Sequence, residues 1–277
     1  MSAVRGTDTE VDRVTTDRTS GVRKLGVTLA YLICLAGTTI GVGAFGGTPI
    51  AEASGGVLAA DATHLAPASP AFSIWSVIYL GLGAYTLWQW WDGDDRRRIS
   101  WLAVASMLLN AAWILLVQAA QIWLTVVVIL ALVATLGVLL RRVVAIPARS
   151  RVEMLVVDGT FGLYLGWVCV ATCANIAAAL SASGFEGFGA PEVLAAVVLA
   201  VATAVGIALA RFGGGRLAIA ASLTWGLAWI GVARTIGPES TLTLWAAVLA
   251  AGSVAVTTLV VRLRRPQPAA DMSEVAA

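Results

Sequence analysis

Charge is scarce in this chain. Asp, Glu, Lys and Arg make up 12% of its 277 residues, about half the share found in an ordinary globular domain. It has one histidine, His64, and one lysine, Lys24. With a single imidazole and no cysteine cluster, the chain lacks the ligand set of a zinc site; an axial bond from His64 to a heme iron is the one metal role left open. Cys34, Cys169 and Cys173 all lie in apolar runs, the last two spaced i, i+4 rather than as Cys-x-x-Cys. They read as small packing residues, with a thiol function as the lesser alternative. A net charge of +2 spread over loops gives no basic stripe for nucleic acid. No nucleophile–base–orienter set and no carboxylate pair is evident, so the chain does not read as an acid–base enzyme.

What the chain has in excess is apolar surface: 59% of residues are hydrophobic and the mean hydropathy is +0.87. No single core of this size hides so much, so lipid must solvate the remainder. A bilayer core of about 30 Å needs about 20 apolar residues per helix, and eight segments qualify: 25–46, 71–91, 101–120, 122–140, 154–180, 192–210, 217–233 and 242–261. The expected fold is an all-α polytopic membrane bundle of eight transmembrane helices. Basic residues set its direction. Arg5, Arg13, Arg18, Arg23 and Lys24 precede the first span, Arg96, Arg97 and Arg98 follow the second, and Arg141, Arg142, Arg149 and Arg151 follow the fourth. Arg211 and Arg216 follow the sixth span and Arg262, Arg264 and Arg265 the eighth, so 17 of 18 lie on one side. The positive-inside rule makes that side, and both termini, cytoplasmic. Arg234 is the exception.

The polar segment 1–24 is expected to be a cytoplasmic tail, disordered to about Ser20, and 262–277 a second tail. "AEA" at 51–53 has the look of a signal-peptidase site, yet the apolar run before it exceeds a signal peptide's usual length, so the first helix is read as a retained span. Gly37/Gly41 and Gly162/Gly166 form two G-x-x-x-G strips, expected as packing seams within or between molecules.

The eleven tryptophans divide by depth. Trp88, Trp90, Trp91 and Trp101 sit beside the cytoplasmic arginines, and Trp123 and Trp245 near the outer ends of their spans, as an interfacial belt does. Trp75, Trp113, Trp167, Trp225 and Trp229 lie within spans. At 1.5 Å rise per residue, Trp75 is roughly 6 Å, Trp113 about 10 Å and Asn175 about 8 Å below the outer boundary. Trp75 and Tyr79 share a helix face, as do Asn110 and Trp113, and Trp167 and Asn175. Asparagine amides in hydrocarbon must find partners, so Asn110 and Asn175 should face inward. Two readings follow: aromatic packing with Asn–Asn bonds, or an indole-lined ligand cavity. Trp225 and Trp229 either extend that cavity or pack.

"FSIWSVIY" (72–79), "LLNAAW" (108–113) and "YLGWVCVATCAN" (164–175) resemble, in order and on matching spans, landmarks of the tryptophan-rich sensory protein/translocator protein family (TspO/MBR). The resemblance implies a five-helix bundle over 25–182, and often a homodimer; the three additional transmembrane helices expected over 183–261 have no counterpart in the short family members. It also implies a pocket for porphyrin, heme or a related flat hydrophobic ligand, with Trp75, Asn110, Trp113 and Trp167 as lining; Tyr79, Thr172 and Asn175 join them as candidates from their helical phase and depth. In some bacterial relatives, tryptophans similar to Trp75 and Trp167 take part in light-dependent porphyrin breakdown. The chain departs from the family pattern at Leu163, where proline is usual, and in lacking a tryptophan near the prolines of "HLAPASP". It also lacks a sterol-type motif after Asn175. The competing function is a proton-linked secondary transporter using Asp158, one turn inside the fifth span. Arginine-rich composition suggests a bacterial plasma membrane.

Overall fold

A computed structural model describes residues 4–41, 50 and 52–265, with side chains from Ser20 onward. Eight helices traverse the described residues. They are α1 (Val4–Gly41), α2 (Ile74–Trp88), α3 (Ser100–Gln118), α4 (Ile122–Ala145), α5 (Arg151–Ala182), α6 (Pro191–Phe212), α7 (Leu217–Ala233) and α8 (Thr241–Leu263). Seven are long and apolar enough to cross a membrane, α2 with the help of the 3-10 turn Ser69–Ser73 that precedes it; α7 is a 17-residue apolar helix. The chain is a multi-pass helical membrane protein.

Several boundaries differ from the sequence expectation; α4, for one, runs to Ala145 rather than ending at 140. Helix α1 begins at Val4, where polarity suggested a disordered tail; once a span has nucleated a helix, propagation into polar residues costs little. Its membrane-length part is Ser20–Gly41, and residues 42–46 of the expected span, like the tail after Arg265, lie outside the described residues. Helix α2 stops at Trp88, so Trp90 and Trp91 fall in the turn after it. Helix α5 starts at Arg151 and carries a π-helical stretch, Met154–Gly159, a widened turn of the kind that re-aims side chains.

Small residues set the packing. Helix α1 lies on α3, α3 on α4, α4 on α5, α5 on α7, and α8 covers both α6 and α7. At the α1–α3 crossing, a Cβ on Gly37 would stand 3.3 Å from that of Ala111. At the α5–α7 crossing, a Cβ on Gly166 would overlap the Ser222 hydroxyl and the Ile219 carbonyl. Both G-x-x-x-G strips are thus seams inside the chain, as close backbone approach without a hydrophobic drive requires. Trp90, Trp91, Trp101, Trp123 and Trp245 are exposed on the bundle surface, as a belt should be.

Candidate ligand cavity

In the outer half of the bundle, α2, α3, α4 and α5 converge beneath the loop that joins α1 to α2. The loop includes a 3-10 turn, Ala53–Gly56, in which Ser54 and Gly55 take positive φ. The Ser54 hydroxyl donates to the Val117 carbonyl at the end of α3 (2.6 Å), which ties this turn to α3. From there Val57, Leu58, Thr63, Ala66 and Pro67 form a roof.

Under the roof, Trp75 is the ring that the others touch. It stacks on Tyr79 (centroids 5.4 Å, planes 18° apart) and meets Trp167 and Tyr164 edge-on at 6.2 and 5.8 Å. Phe72 adds an edge contact to Trp167 at 5.7 Å. The i, i+4 spacing of Trp75 and Tyr79 makes the stack, because those positions superpose on one helix face.

The two asparagines have separate partners. The Asn110 amide donates to the Tyr79 hydroxyl (2.9 Å) and the Cys34 sulfur (3.4 Å). Asn175 accepts from the Trp113 indole N–H (2.8 Å), and its amide donates to Thr125 on α4 (2.9 Å). No Asn–Asn bond forms between them; each amide ties its helix to a different neighbour. Trp75, Asn110, Trp113, Trp167 and Asn175 all line the cavity. Tyr79 stands behind Trp75 and Asn110 rather than at the wall. The Thr172 hydroxyl donates to Val168 within its own helix (2.7 Å), and Thr172 is not part of the lining. Ile129 and Leu132 of α4 complete the wall.

The cavity's volume is about 50 Å³, room for a few waters. Among the described residues its polar lining consists of Thr63, Asn110, the indoles and Asn175, with no ionisable group. Two polar atoms of the lining residues, the Trp167 indole N–H and the Thr63 hydroxyl, are buried without a partner among the described residues. Trp167 is 1% exposed, so its N–H has no bulk water to turn to, and an orphaned buried donor is costly.

His64 follows Thr63 on the roof but does not line the cavity. Burial, then the nearby Arg234 charge, hold its imidazole below the usual value of 6.5, with Glu192 pulling the other way. Trp225 and Trp229 do not line the cavity either. They meet edge-on at 5.6 Å, the Trp225 N–H donates to the Ala71 carbonyl (2.9 Å), and the Trp229 carbonyl accepts from Ala68 (3.1 Å).

Asp158 is remote from this cavity. It lies in the π-helical stretch at the cytoplasmic end, 2.5 Å from Arg97 and 3.5 Å from Arg216. Arg97 also reaches Glu153 at 3.0 Å, and Arg216 donates to the Val143 and Gly213 carbonyls. The carboxylate joins the α2–α3 loop to the α6–α7 turn through α5.

A polytopic helical membrane protein with an indole-lined cavity in its outer half is the class that fold and geometry define. Residues 27–260 match the TSPO-like protein family. The chain belongs to that family, and the match runs through α6, α7 and α8 as well as the first five helices. No curated protein and no solved structure matches it.

Proposed function

We propose that the chain is a membrane receptor of the tryptophan-rich sensory/translocator type, in a bacterial plasma membrane. It binds a flat hydrophobic ligand in the outer-half cavity to sense, move or help degrade it. Porphyrins and heme are the ligands the family resemblance implies. The observation that carries the reading is the Trp75–Trp167 pair: aromatic faces and edges for a planar ring, with a buried indole N–H that lacks an acceptor among the described residues. A ligand that brings a carbonyl or similar acceptor to Trp167 would satisfy it. The uncharged lining favours keeping ionised groups of the ligand at the mouth.

The test is a fluorescence titration of the full chain in nanodiscs with protoporphyrin. Saturable quenching that weakens in Trp75→Phe/Trp167→Phe is expected; quenching unchanged in that variant would reject the site.

Proton-linked transport through Asp158 is the second reading, and what favours it is the placement of a carboxylate on a π-helical turn. The two guanidinium partners of Asp158 supply a structural role for the same group. Proton-coupled uptake that is the same in Asp158→Asn would remove that reading.

A further inference from the structure

Arg234 is the one basic residue outside the cytoplasmic set, and it is 2% exposed. A positive charge on the outer side of a span runs against the charge pattern of the whole chain, so its burial calls for a local reason. Among the described residues it has no carboxylate within ion-pair distance. Backbone carbonyls surround it instead. One terminal nitrogen donates to Ala60 (3.1 Å) and Ala66 (3.2 Å), both in the α1–α2 loop, and the other to Pro238 (3.3 Å), in the α7–α8 turn. Ala66 has two tasks, because its carbonyl is held by Arg234 while the residue lines the cavity.

The rest of that side of the roof is tied to α7 as well. Ala68 donates to Trp229, Trp225 donates to Ala71, and Leu65 packs in the apolar core formed by the last three helices. The roof is therefore fixed by α7 and the turn after it on its far side, and closes the ligand space with its near side.

We propose that Arg234 is a latch on this roof, through which the last three helices govern the rate at which ligand enters and leaves the cavity. This rests on the cavity being the ligand site. The physics makes a latch of it rather than a rivet. A guanidinium bound to neutral carbonyls has strong, directional bonds, yet without a counter-ion it retains much of its desolvation cost. Opening the roof rehydrates the charge and so offsets the lost bonds. The closed cavity admits only a few waters, so a planar ligand requires such an opening.

The experiment uses the full chain in nanodiscs with Leu58→Cys on the roof, and measures its labelling by a polar maleimide. A parallel stopped-flow measurement follows protoporphyrin association and dissociation. In Arg234→Gln, labelling and both rate constants should rise together, by about tenfold for the loss of charge-assisted bonds, with little change in Kd. Arg234→Lys should fall between, since one ammonium cannot span three carbonyls. Unchanged labelling in variants with an unchanged thermal midpoint would overturn the latch. If Arg234→Gln does not fold, Arg234→Lys and Trp225→Phe decide by the same readout. Should protoporphyrin not bind at all, the ligand reading fails while the labelling still decides whether Arg234 holds the roof.

Discussion

Trp75 and Trp167 touch each other but do different work. Trp75 is half-buried and gives its faces and edges to three rings, so Trp75→Ala should weaken ligand binding by roughly tenfold or more, since each aromatic contact is worth about 0.5–1.5 kcal/mol. Trp167 holds an N–H that nothing among the described residues satisfies. In Trp167→Phe, thermal stability without ligand should hold or rise, because an orphaned donor is removed, while affinity for an acceptor-bearing ligand falls. Opposite signs in unfolding and titration experiments are the signature. Asn175 is the contrasting case: Asn175→Ala strands the Trp113 N–H and leaves the Thr125 hydroxyl only its bond to the Ile122 carbonyl, and should cost about 1–3 kcal/mol by equilibrium unfolding. These residues were legible in the sequence because amides and indoles in hydrocarbon are conspicuous. Ile129 and Leu132 were not, since α4 is so uniformly aliphatic that no position marks its cavity face.

At the scale of elements, the seams and the roof carry the account. Gly166→Ala should destabilise the chain by about 1–3 kcal/mol through overpacking against α7, whereas the same change at Gly252, which has nothing within 4 Å, should be close to neutral; thermal unfolding of the pair separates seam from surface. The roof has its own pH response. Because the folded loop favours neutral His64, the roof's closure is unaffected above pH 6.5 and weakens as pH falls through 6.5 towards the lowered value, where the folded state must take up a proton beside Arg234. Amide exchange of loop 52–68, compared at each pH with His64→Gln, should diverge only on the acidic side. The G-x-x-x-G strips were readable as seams, but their partners were not, because spacing on one helix carries no information about the helix that faces it. The roof was least readable: "HLAPASP" offers prolines and turns, and its tertiary ties come from Trp225, Trp229 and Arg234, more than 150 residues away.

Across the whole molecule, the last three helices are fastened to the first five at both membrane faces. At the cytoplasmic face Asp158 joins Arg97 to Arg216, and at the outer face Arg234 holds the roof. Apolar length was enough to read eight helices, because bilayer thickness acts on sequence directly. The ion cluster was hidden, since Arg97 and Arg216 come from two separate loops and look like ordinary topology signals. Most direct for the central claim is a titration that fills the cavity without touching its indoles. Ala171 lines it on α5, and Ala171→Trp in nanodiscs should abolish the protoporphyrin Soret shift while the helical signal and thermal midpoint persist. An unaltered shift and affinity in a folded Ala171→Trp protein would contradict the cavity as the binding site.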